Sequence, residues 1–196
     1  MAEDSFKTGN DVNAYFASLR ADAKFEPVSF DVGCDYHSGQ DGGRDDDYQK
    51  TDHLFDLFYG GRHQYYGYMD LFDNVSKSTA NGGLVDLYAG FKYKVAKNSN
   101  IALDYHYFSL QNNVMDPYQE DKILNKSLGS EFDLTVDVAI IPEIVITGGF
   151  STMLTTGSMD QLQRKSQGFS QNESLGFPYW GYVMITAKPT LFKSDK

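Results

Sequence analysis

Apolar and polar residues alternate with a period of two along most of the chain, most plainly over residues 83–111. Val85, Leu87, Ala89, Phe91, Tyr93 and Val95 are apolar at every second position, and Asp86, Tyr88, Gly90, Lys92 and Lys94 stand between them. A polar turn, Ala96-Lys97-Asn98-Ser99, is followed by Ile101, Leu103, Tyr105 and Tyr107 alternating with Ala102, Asp104, His106 and Phe108. Period two marks a strand with one apolar and one polar face. Two such runs across a short polar turn predict an antiparallel hairpin. The runs reach about ten residues or more, against the ordinary five or six. Their apolar face is rich in tyrosine near the ends. Long alternating strands with aromatic ends predict a transmembrane β-barrel, in which about 9–11 tilted residues cross the bilayer.

The same pattern recurs on both sides. Over residues 13–25, Tyr15, Ala17, Leu19, Ala21, Ala23 and Phe25 share one face, and Phe16, Ser18, Arg20, Asp22 and Lys24 the other. Residues 28–38 place Val28, Phe30, Val32, Cys34 and Tyr36 outward and Asp31, Gly33, Asp35 and His37 inward. Residues 128–138 place Leu128, Phe132, Leu134, Val136 and Val138 outward and Glu131, Asp133, Thr135 and Asp137 inward. Ile144, Ile146, Gly148 and Phe150 continue the apolar face, and residues 178–187 supply a last strand. Residues 65–72 resemble one more strand in composition.

Connection lengths then sort the ends. Those after Phe25, Val95 and Ala139 are short; those after Ser38, Leu110 and Thr155 are long. Short turns at one end and long loops at the other are the transmembrane-barrel arrangement, with short turns periplasmic. Residues 39–81 and 157–177 are read as long extracellular loops. A single crossing within 39–81 would put the tight Ala96–Ser99 turn on the wrong side, so that segment is expected to cross an even number of times or not at all. The fold expected is all-β: an antiparallel up-and-down transmembrane barrel, with about seven or eight strands of a larger one present. Residues 1–196 read as a single β-barrel domain. Seven strands that start on the loop side do not close alone, so the chain is expected to be the C-terminal part of a longer one.

Composition alters this picture in three ways. A net charge of −10 and a pI near 4.7 argue against a nucleic-acid partner. A mean hydropathy of −0.45 looks water-soluble, but a barrel dilutes its apolar residues with alternating polar ones. The 14 Tyr and 14 Phe suit aromatic girdles, or a Tyr-rich core. The single cysteine, Cys34, permits no internal disulfide and is expected to be a small buried hydrophobe. The first residues, Met1-Ala2-Glu3-Asp4, lack a basic and apolar leader. An outer-membrane protein needs a signal peptide, so it is expected to have been removed, or the chain is a fragment.

Several motifs, in order, point to a family: Asp35-Tyr36-His37-Ser38-Gly39-Gln40-Asp41, Phe58-Tyr59-Gly60-Gly61-Arg62-His63, Gly67-Tyr68-Met69-Asp70-Leu71-Phe72 and Gly83-Leu84-Val85-Asp86-Leu87-Tyr88. Leu128-Gly129-Ser130-Glu131-Phe132-Asp133-Leu134 and Trp180-Gly181-Tyr182-Val183-Met184 complete the set. Across residues 13–193 the chain resembles the C-terminal part of an alginate-export-family outer-membrane porin of the Bacteroidetes type. The resemblance implies a barrel of about 18 strands in the Gram-negative outer membrane. It also implies passive diffusion of a polar or charged, oligosaccharide-like solute. The namesake branch has a basic lumen that passes an anionic polysaccharide. Here the inward set holds Arg20, Lys24, Lys92 and Lys94 but also Asp22, Asp31, Asp35, Asp86, Asp104, Glu131, Asp133 and Asp137. An acidic wall repels polyanions.

Candidate solute contacts on the inner wall are Arg20, Lys24, Asp35, His37, Asp86, Lys92, Lys94, Asp104, His106, Glu131 and Asp133. Asp35/His37 and Asp104/His106 each share a face at i, i+2. They read better as a hydrogen-bonded polar wall than as metal ligands, because one Asp–His pair is far short of a closed ligand set. The run Asp41-Gly42-Gly43-Arg44-Asp45-Asp46-Asp47 lacks the spacing of an EF-hand and reads as a solvated acidic loop rather than a Ca²⁺ site. Tyr65, Tyr66, Tyr68 and Phe72 form an aromatic patch. It either constricts the lumen, with Tyr66, Tyr68 and Asp70 at the constriction, or braces the loop against the wall. No Gly-x-Ser-x-Gly, His-Glu-x-x-His or Walker loop is present. The chain is read as a channel and not an enzyme, with no cofactor, and with outer-membrane lipid and the solute as partners. The alternatives are a barrel hydrolase, for which Ser38 beside His37 is the one faint candidate, and a soluble lipocalin-like binder, which needs an apolar interior.

Overall fold

The computed structural model of the protein describes residues 11–56 and 66–189. The motif at 58–63 and Tyr65 lie outside those residues. Two short strands, β1 (Asp11–Val12) and β4 (Thr51–Asp52), pair in parallel. Seven long strands follow the predicted alternation: β2 (Phe16–Phe25), β3 (Val28–His37), β5 (Leu84–Ala96), β6 (Ser99–Leu110), β9 (Ser127–Ile141), β10 (Ile144–Thr155) and β11 (Tyr179–Ala187). They form one antiparallel sheet in the order β11-β10-β9-β6-β5-β3-β2. At about 3.3 Å per residue, 9 to 15 residues is enough for a tilted strand to cross a bilayer. The sheet is open among the described residues, with β2 and β11 as its edges.

All short turns fall at one end of the sheet and all long connections at the other. The turn between β5 and β6 closes through Asn98 at φ 59°, a conformation asparagine tolerates. Within the described part of 39–81 no strand joins the large sheet. Residues 66–72 are turns and bends rather than the strand their composition suggested. Tyr66 and Gly67 sit at φ 68° and 80°, and two successive left-handed residues cannot run in a pleat. The connection at 112–126 carries a small hairpin of β7 (Met115–Asp116) and β8 (Gln119–Ile123). The last long connection holds a helix that period two could not reveal, α2 (Gly157–Gln167). Thr156 caps it by accepting the Met159 amide, Gly168 ends it in the left-handed region, and Met159 and Leu162, one turn apart, are buried. A single-turn helix, α1 (Val75–Ser78), lies in the earlier loop.

The two faces of the sheet differ in what covers them. One is bare. Leu19 is 76% exposed and Val183 78%, and Phe30, Leu87, Leu103, Leu134 and Phe150 are exposed between them, so every long strand contributes. Cys34 sits on this face between Leu19 and Leu87, half-buried rather than buried, with no described residue covering the face there. The other face is covered at its loop end. Leu84, Phe108, Leu110 and Met153 point inward there and pack with Tyr66, Phe72, Val75, Met159 and Leu162 from the loops. Leu128 belongs to this core, not to the outer face where alternation put it. Phe108 pairs with Gly129 and Ser109 with Ser127, so the ladder skips Leu128. Gly129 takes up the bulge at φ 141°, and the extra residue is turned to the covered side.

Candidate functional site

Below the loop-packed core the covered face is polar and holds a cavity of about 840 Å³. Of the expected contact residues, Arg20, Lys24, Asp35, Tyr66, Tyr68, Asp86, Lys92, Asp104 and His106 line it. Asp22, Asp31, Asp137 and Tyr88 also reach it. These were placed on the inner face by alternation but not singled out.

Cross-strand register decides which side chains meet. Asp35 stands directly opposite Asp86 and accepts a 2.5 Å hydrogen bond from Ser18 Oγ. His106 does not bond the Asp104 two residues before it. Its Nδ1 lies 2.9 Å from Asp86 Oδ2, diagonally across the ladder. His37 is fully buried with Nε2 2.5 Å from the Tyr66 hydroxyl, and Phe16 and Phe55 pack on its ring. Ser38 Oγ accepts the Tyr15 amide. Neither side chain of the faint Ser–His pair is thus turned to the other. Arg20 pairs with Asp31 at 3.2 Å and lies over the Tyr88 ring. Lys94 leaves the cavity for the turn, where it and Lys24 both reach Glu26. Those two ammonium groups, Lys94 first, hold the Glu26 carboxyl below its usual range.

Glu131 and Asp133 depart most from the expected wall. Both are fully buried. Glu131 Oε1 accepts the Met69 amide at 2.9 Å, and a β-carbon on Gly67 would collide with the carboxylate. The left-handed pair Tyr66–Gly67 bends the chain so that the Met69 amide reaches Glu131. The segment after Tyr65 is therefore latched onto the wall, and the two readings of the aromatic patch divide by residue. Tyr66 and Phe72 brace, with Phe72 on Phe108. Tyr68 instead stands over the cavity. It keeps 40% of its surface exposed, yet its hydroxyl is withdrawn far enough from water, and lies close enough to Asp104 and Asp133, that its pKa is pushed up to about 12. Asp70 adopts φ 55° where the segment turns back.

In the acidic loop, Asp41 accepts the Gly43 amide and the Asn113 side chain, Asp45 the Tyr48 amide, and Asp47 pairs with Lys50. Among the described residues no three His, Cys, Asp or Glu side chains are arranged to hold a metal ion. Backbone contacts of Gly67 and Met69 escaped sequence reasoning, since no side-chain pattern announces them. No protein-family model matches this chain, and neither a curated protein nor a solved structure does.

Proposed function

We propose that the chain forms part of the wall of an outer-membrane β-barrel through which a polar or charged solute diffuses passively, as its resemblance to alginate-export porins implies. The observation that carries this reading is the bare apolar face. Burying one Val, Leu, Ile or Phe side chain contributes about 1.5–3 kcal/mol, and several such side chains stand exposed along each long strand. Left in water, that face would forfeit more than the roughly 5–15 kcal/mol by which folded proteins are stable. Lipid on the bare face and water on the charged one removes the conflict. The open edges fit the same reading. β2 and β11 both run from the loop end to the turn end, so an antiparallel wall completing the barrel has an odd number of strands and the whole an even number. A lipocalin-like binder would need the reverse polarity, apolar inside. Transport needs no covalent step: width, the Tyr68 constriction and wall charge select what passes.

The test places Val183→Arg in the full-length protein. A lipid-facing arginine near the midplane costs ~2–4 kcal/mol, whereas an exposed substitution in water stays within about ±0.5 kcal/mol. Refolding into vesicles should show the larger loss, and planar-bilayer recording of the unsubstituted protein should show stable ohmic openings. A small effect at Val183, or a folded protein that never conducts, sinks the reading.

A further inference from the structure

Two carboxyl groups lie under the Tyr68 segment, out of reach of water. Glu131 and Asp133 are two residues apart on β9, share the covered face and are both fully buried. Their side chains are bonded to each other. An ionised carboxylate only accepts, so that bond needs a proton on one of the two. The remaining partners come from the loop and from β10: the Met69 amide on Glu131, the Tyr68 amide on both, and the Ser151 hydroxyl on Asp133. Gly67 closes the backbone over Glu131 so tightly that a β-carbon there would collide with the carboxyl.

The neighbouring elements supply no cation to spare for this pair. On β6, His106 stands opposite Glu131 but is held by Asp86 of β5, and Asp104 stands opposite Asp133. Asp104 belongs to a level that also carries Asp31 and Asp22, with Arg20 paired to Asp31. Lys92 lies one level nearer the turns. On β10 the facing residues are Met153 and Ser151, neither of them charged. The loop brings the Tyr68 hydroxyl close to Asp104 and Asp133, and Asp70 follows where the segment turns back. Two carboxylates side by side in such a dry site do not both ionise. Losing the proton would leave two facing anions whose relief is water, and the Tyr68 segment stands in the way of that water.

We infer that Glu131 and Asp133 hold one proton between them and that this proton is the catch of the constriction. While it is bound, Tyr68 stays over the cavity. Its loss to water in alkaline medium frees the segment and widens the pore, and its return docks the segment again. The widening rests on the channel reading above; the shared proton does not.

Infrared spectra of the full-length protein in vesicles test the proton, and planar-bilayer recording over a rising pH series tests the catch. At neutral pH the unsubstituted protein should show the carbonyl stretch of a protonated carboxyl that Glu131→Gln lacks, and should lose it as the medium turns alkaline. Single-channel conductance should step upward over the same alkaline range. Glu131→Gln and Asp133→Asn each limit the pair to one negative charge, so both should keep the narrow conductance throughout. Asp46→Asn, in the exposed loop, should step as the parent does. Identical carboxyl bands in the parent and Glu131→Gln overturn the shared proton. A flat parent conductance, or a step retained in both pair variants, overturns the catch and leaves the channel. Folded protein without openings overturns the channel reading, and the infrared band still decides the proton.

Discussion

The two ends of the covered face are built on the same strands and do opposite things. At the loop end the inward positions are Leu84, Phe108, Leu110 and Met153, and loops seal them from water. Toward the turns the inward positions of β5, β6 and β9 include Asp86, Lys92, Asp104, Thr135 and Asp137, and they border an open cavity. Alternation is identical in both regions, so it says which way a side chain points but not what it meets. The dry end fixes the loops. The wet end is free of that duty and can carry like charges side by side. Glu131 joins them, as a wall carboxylate whose oxygen is used by the loop.

The sharpest way to break the comparison is to wet the dry end. Phe108→Asp places a carboxylate in the core with Phe72, Leu84 and Met159, where the one basic ring against it, His106, is already held by Asp86. Uncompensated burial of a charge belongs to the exceptional losses, above about 4 kcal/mol. The unheated folded band in electrophoresis should disappear, while Asp104→Asn, at the wet end of the same strand, should keep it. Equal behaviour of the two variants would refute the division.

A smaller effect is expected where the regions meet. Glu131→Ala removes the acceptor that holds the Met69 amide, and an ordinary hydrogen bond contributes ~0.5–1.5 kcal/mol net. The segment bearing Tyr68 should come loose, giving noisier and larger single-channel openings, with the barrel still folded. Glu131→Gln keeps an acceptor and should restore quieter openings. If Glu131→Ala openings match those of the parent, the latch does not set the constriction.

How far the sequence carried these conclusions differs between the regions. Strand directions, faces and the segregation of turns from loops were all legible, because period-two alternation and Pro or Asn-containing turns are local signals. The inward candidates share the covered face, most of them at its cavity. Their partners were not legible: His106 meets Asp86 rather than Asp104, and four aspartates share a level, because both depend on register between strands far apart in sequence. The helix α2 was hidden by its Gln- and Ser-rich composition, although Thr156, the Met159/Leu162 spacing and Gly168 were there to find. Leu128 was misplaced because a one-residue bulge inverts parity and leaves no mark but a glycine.

The smallest effect belongs to the outer margin of the wet end, and it sharpens the contrast by showing charges that are merely solvated. Lys94 and Lys24 hold the exposed Glu26 carboxyl below its usual range. A depressed carboxylate adds stability that is present above its unfolded pKa and is lost as pH falls through its folded one. Glu26→Gln should therefore lower the unfolding midpoint slightly at neutral pH, and the gap to the parent should close as the medium is acidified past the ordinary carboxylate range. Because the group is fully exposed, added salt should shrink the same gap at neutral pH. A gap that persists in strong acid or in high salt would mean that Glu26 acts through packing of the turn and not through its charge. The turn margin would then resemble the dry end more than the cavity it borders.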